Sequence, residues 1–110
     1  MLEKIQDLNT QLKKIIKEYL VYQKKENIEE VKQIIPQIQE FVLWFLKENR
    51  FQVEEQLYQE MTQNLIYILK DILEAIQNRD CVLMHDALAY GLIEYLGMFI
   101  MQENDLNDNI

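Results

Sequence analysis

Only three residues in this 110-residue chain are strong helix breakers: Pro36, Gly91 and Gly97. Gly and Pro mark most turns, so a chain nearly free of them has few tight bends and long unbroken elements. Its apolar residues recur at alternating spacings of three and four, the period of a helix and not of a strand. The expected fold is therefore all-α: an up-down-up-down four-helix bundle occupying residues 1–102, followed by an acidic, frayed tail over residues 103–110.

Three stretches carry the same rhythm. Ile5, Leu8, Leu12, Ile15, Tyr19 and Tyr22 form a 3-4-3-4-3 seam, which predicts a first helix from about Leu2 to Lys25. Ile28, Val31, Ile35, Ile38, Val42 and Phe45 repeat it for a second, with Asn27 as its cap and Glu30 at the capping-box position. Pro36 lies inside this seam, and because the rhythm stays in phase across it a kink is expected there in place of a chain reversal. Phe41 and Trp44 are expected at or near the core. Tyr58, Met61, Leu65, Ile68, Ile72 and Ala75 mark a third helix, from about Gln52 to Gln77. Asn78-Arg79-Asp80 should close it, with Asn78 left-handed and Asp80 capping a fourth helix from Cys81 to Gln102.

The fourth segment is the most apolar and is long enough to span a bilayer. Asp86 and Glu94 oppose that use, each costing about 2.5–3.5 kcal/mol near a membrane centre. No membrane association is expected. A single cysteine, Cys81, excludes an internal disulfide and fits a reducing cytoplasm, and the amphipathic start does not read as a secretory signal. The net charge of -8 is uneven: residues 1–32 hold seven lysines against six acids, whereas residues 33–110 hold four bases against thirteen acids. Such a chain repels phosphate backbones. The only basic run, Lys13, Lys14, Lys17, Lys24 and Lys25, interleaves with Glu18 and Glu26 and reads as a solvated face, so no nucleic-acid partner is expected.

Three constellations could carry chemistry. Cys81 and His85 share a helix face at a helix start, where a thiolate is favoured, but no second Cys or His completes a metal set. Asp86, Tyr90 and Glu94 follow one another at spacings of four on an apolar helix. Asp86 is expected to accept hydrogen bonds structurally near the helix start, and Tyr90 to pack its ring. On that expectation Asp86→Ala lowers stability by about 1–3 kcal/mol. The alternative is a metal or catalytic pair, yet the Glu-x-x-His pattern of carboxylate-bridged bundles is missing. Ala87 and Gly91 are small residues four apart, suited to close helix approach within the bundle, in a dimer, or in a groove for a partner helix.

The segment Asn78–Leu92 resembles a group of small, uncharacterised all-helical proteins of Firmicutes-type bacteria. Arg79, Asp80, Val82, Leu83, Asp86, Leu88, Tyr90 and Leu92 carry the resemblance, whereas Ala89 and Gly91 stand where the pattern often has acids. It implies a helical fold but no site. The function expected is that of a non-enzymatic cytoplasmic module working through protein contacts, with a protein partner or a homodimer, no cofactor and no metal. The alternatives are an export chaperone of flagellar type and a small enzyme or metal-binding bundle built on Asp86 and Glu94.

Overall fold

The computed structural model describes residues 1–22 and 27–108, apart from the side chains of Tyr22 and of residues 101–108. Lys24, Lys25 and Glu26, from the basic run considered above, lie outside the described residues, as does the end of the first helix expected at Lys25. The chain is an all-α four-helix bundle. Helix α1 (Leu2–Tyr22) buries Ile5, Leu8, Leu12 and Ile15, and α2 (Ile28–Lys47) buries Ile28, Val31, Ile38, Val42 and Phe45 along the expected seam. Ile34 and Phe41 join that core, while Ile35 is only partly buried against it. Pro36 sits inside the continuous α2 with its ring exposed, so the chain does not reverse there.

Helix α3 (Glu55–Gln77) begins later than the seam alone suggests, because Asn49 ties the preceding loop. Its amide donates to the Val53 carbonyl and its side-chain oxygen accepts from Val53 N–H at 3.1 Å. Gln52 takes a left-handed φ of 51° in that loop. At the far end of α3 the left-handed residue is Arg79, with φ 54°, and not Asn78. Asp80 N–H bonds the Ala75 carbonyl at 2.8 Å and Arg79 N–H bonds Ile76 at 3.2 Å, the two bonds of a Schellman closure. Asp80 then caps the next helix, its carboxylate accepting from Leu83 N–H at 3.1 Å.

The fourth rod is not a regular helix. It consists of α4 (Cys81–Ala87), a π-helical turn over Leu88–Leu92, and α5 (Ile93–Asp108), so helical backbone continues past Gln102. Met84, Leu88, Leu92 and Leu96 are each 0% exposed, at a strict spacing of four. In a regular α-helix a spacing of four drifts by roughly 40° per step, carrying the last of four residues about 120° away from the first. The π-turn takes up that drift by fitting an extra residue into one turn. Val82, Asp86, Tyr90, Glu94 and Met98 form a second row in the same rhythm, and all five are exposed.

Neighbouring rods run antiparallel. The ion pair Lys4–Glu40 and the Gln11–Gln37 bond set α1 against α2, and Tyr58 Oη donates to the Phe45 carbonyl at 2.9 Å between α3 and α2. A Cβ at Gly91 would stand 3.0 Å from Ile68 Cδ1 and Cγ1, so the small residue expected for close helix approach serves α3 inside the bundle. Tyr95 Oη donates to the Met61 carbonyl at 3.0 Å and accepts from the Asn64 amide at 2.9 Å in the same interface. The end of the bundle near the α2–α3 loop is filled by aromatic rings. Phe99 meets Phe41, Trp44, Phe45 and Phe51 with centroids 4.7 to 6.2 Å apart. Phe41 and Phe45 are buried there, and Trp44 is half-buried beneath the Arg50 guanidinium, 3.8 Å above its ring.

Deleting Tyr90, one residue of the π-turn, should leave Met84, Leu88, Leu92 and Leu96 at a 4-3-4 spacing that a regular α-helix satisfies. The deletion variant is expected to keep its helical circular dichroism and a cooperative melt. Deleting Gln39 from α2 should rotate everything beyond it by about 100° and abolish cooperative unfolding.

Candidate functional site

The polar side chains of the interior meet at the end of the bundle opposite the aromatic plug. Asn27 (0% exposed) precedes α2, and His85 (3% exposed) projects from α4. Asn27 is not a capping-box residue: its side chain makes no cap hydrogen bond to α2. Its amide donates instead to the Ile15 carbonyl of α1 at 3.1 Å, and its Oδ1 lies 2.8 Å from His85 Nε2. The Ile15 carbonyl can only accept, so Asn27 Nδ2 must face it and Oδ1 must face the imidazole. His85 Nε2 is therefore the protonated nitrogen, which leaves Nδ1 as a bare acceptor; it is buried without a hydrogen-bond partner. The Tyr19 ring stacks on the imidazole at 3.8 Å, nearly parallel at 6°.

This arrangement corrects two expectations. Cys81 and His85 do not pair on their shared helix face: the imidazole is held by Asn27 and Tyr19, and the half-buried thiol is not bonded to Nδ1. Burial pushes the His85 imidazole below its ordinary value of 6.5, against a smaller opposite pull from the Asp86 carboxylate. The polar trio is a three-way tie between α1, the α1–α2 connection and α4.

Asp86, Tyr90 and Glu94 do not enter the interior. Asp86 and Glu94 are exposed, and Tyr90 is 76% exposed. The capping role near the helix start belongs to Asp80, so Asp86 has no orphan N–H to satisfy and Tyr90 has no ring pocket. Ala87 and Gly91 are buried on the bundle side of the same rod, separated from that polar row. Among the described residues no three His, Cys, Asp or Glu side chains are placed to hold a metal ion.

The outer face formed by α1 and the fourth rod carries what the seams do not explain. Ile16, Leu20 and Val21 of α1 and Ala89 and Ile93 of the fourth rod line a shallow groove, with Lys13 and Lys17 on the α1 side. Leu20 is 67% exposed and Val21 61%. The exposed row of Asp86, Tyr90 and Glu94 stands on the fourth rod beside Ala89 and Ile93. The groove is thus basic along its α1 side and otherwise apolar. Its register follows from the antiparallel rods: Tyr19 is level with His85, and Lys13 and Ile93 line the same groove further along. No protein-family model, no curated protein and no solved structure matches this chain.

Removing the Asn27 side chain strands one buried donor, His85 Nε2–H, and takes a second hydrogen bond from the Ile15 carbonyl, which its own helix already engages. Asn27→Ala should lower unfolding stability by about 1–3 kcal/mol. Asp86→Ala, at an exposed position, should change stability by no more than about 0.5 kcal/mol in chemical denaturation. The pH dependence has a definite sign. Because the folded-state value of His85 lies below 6.5, the unfolded chain binds the extra proton first. Stability should fall as pH drops through 6.5 towards the folded value, and denaturation midpoints of His85→Gln should be flatter across that window.

Proposed function

We propose that this chain is a non-enzymatic helical module that acts by protein–protein contact, through the face made by α1 and the fourth rod. The observation that supports this reading is the groove between them, lined by the exposed aliphatic pair Leu20 and Val21, with the Tyr90 ring also exposed on the fourth rod. Removing such apolar area from water is worth about 25 cal/mol per Å². Exposed aromatic side chains beside apolar depressions are common anchors of interfaces. Neither Leu20, Val21 nor Tyr90 belongs to the buried core, so folding alone does not account for their placement.

Other partners fit less well. The net charge of -8 disfavours phosphate backbones. Among the described residues no helix is long and apolar enough to cross a membrane. The single cysteine suits a reducing compartment, which makes the cytoplasm the proposed location.

A photo-crosslinking residue at Leu20, introduced into the chain in its native host, tests the reading. Discrete protein adducts are expected, weakened when Val21 is changed to Asp. A probe at the exposed Gln39 of α2 should give none. Absence of protein adducts at Leu20, or equal labelling from Gln39, would overturn the proposal.

A further inference from the structure

Resting on that reading, we propose that the segment seated between α1 and the fourth rod is an amphipathic helix of another protein, with carboxylates along one edge. The groove offers apolar surface from Ile16, Leu20 and Val21 on one side and from Ala89 and Ile93 on the other. Lys13 and Lys17 line its α1 side, both exposed, and no carboxylate lines it. How those lysines are paired decides the partner's charge. Lys4, Lys32, Arg50 and Arg79 each pair with a glutamate. Among the described residues Lys13 and Lys17 have no such partner, although the chain carries nineteen acids against eleven bases. Folding leaves two cations unmatched beside apolar surface, and a partner bearing carboxylates complements both.

The spacing sets the form of the partner. Lys13 and Lys17 stand about one turn, or roughly 6 Å, apart along α1, so two carboxylates three or four residues apart on a facing helix meet them together. From Lys13 to Val21 the lined stretch of α1 rises about 12 Å, which a little over two turns of a partner helix cover. Aliphatic side chains at helical spacing on that partner then bury against Ile16, Leu20 and Ile93. Ala89 offers only a methyl group, which lets a facing helix come close to the fourth rod. An anionic bilayer also suits lysines beside aliphatic side chains, but it presents a broad surface. Asp86 and Glu94 are exposed on the fourth rod and the chain carries a net charge of -8, so a sheet of anionic headgroups is repelled where a single helix is not.

A displayed library of short helical peptides, with a leucine face and edge positions randomised among Glu, Gln and Lys, is selected on the purified full chain. Recovered binders should carry Glu at two edge positions three or four residues apart. A chain this acidic attracts basic peptides at long range, so such a result reports the local field of Lys13 and Lys17. Replacing both Glu by Gln in a synthetic binder should raise its Kd roughly three- to tenfold, the scale of two exposed ion pairs. The same selection on Lys13→Glu/Lys17→Glu should return Lys at those positions, and Leu20→Asp should abolish binding of the original peptide. All three sites are exposed, and unchanged helical circular dichroism checks that the variants fold. A library without binders, edges without a Glu bias, or binders indifferent to the lysine reversal overturns the inference. So does a Leu20 probe that crosslinks the purified chain to itself, or binding to phosphatidylglycerol vesicles that Leu20→Asp abolishes. The underlying reading fails separately. Protein adducts at Leu20 in the native host that persist in Lys13→Glu/Lys17→Glu keep the interaction module and remove the acid-edged partner. Absence of any protein adduct at Leu20 removes both.

Discussion

Four fully buried side chains at a spacing of four hold the fourth rod in the bundle, and the rest of the architecture depends on how that spacing is accommodated. Met84, Leu88, Leu92 and Leu96 can share one side only because the backbone between Leu88 and Leu92 is π-helical. The rod packs on α1 at one side and on α3 at the other. A drift of roughly 120° over the row would have turned Leu96 out of the core and Glu94 towards it. The extra residue of the turn is therefore what keeps the row of Met84, Leu88, Leu92 and Leu96 inside and the row of Asp86, Tyr90 and Glu94 outside along this rod. It also sets Gly91 against Ile68, where the absence of a Cβ lets the two rods approach.

The two ends of the bundle are closed by different physics. Around Phe99 the closure is aromatic area, with Arg50 spread over Trp44 while its Nε and Nη2 donate to the Trp44 carbonyl at the end of α2. Around His85 it is a hydrogen-bond chain, Ile15 to Asn27 to His85, covered by the Tyr19 ring. The aromatic end tolerates imperfect geometry because dispersion and burial are non-directional. The polar end does not, since the buried His85 Nε2–H has one partner, Asn27, and a proton on His85 Nδ1 finds none. The lowered His85 value thereby places one source of acid sensitivity at the end where α1 leads into α2.

The candidate surface was only half legible in the residues. Asp86, Tyr90 and Glu94 stand out as polar groups on an apolar segment. Counted on a regular helix they spread over about 80°, which places some of them against neighbouring rods. The structure sets all three in solvent. A signal for this was present in the fours of Met84, Leu88, Leu92 and Leu96, a period that no regular α-helix keeps on one side. Leu20 and Val21 gave less warning. They follow Tyr19 directly, and only the position of the fourth rod decides which side of α1 beyond its seam stays uncovered.

The order of helices, most of their seams, the Asp80 cap and the all-helical fold class were determined by the sequence alone, because they follow from a repeat of apolar residues and from local turn chemistry. Those signals act between residues three or four apart, so the chain states them without reference to its fold. What only the tertiary structure decided involves groups distant in the chain. Asn27 abandons its own helix for Ile15 and His85 because the buried imidazole N–H has no other acceptor there. Arg79, not Asn78, takes the left-handed closing position, because the Schellman bonds to Ala75 and Ile76 fall one residue later. The groove between α1 and the fourth rod exists only once two segments far apart in sequence lie side by side. A linear pattern records which residues are polar, and packing alone sets which of them face one another.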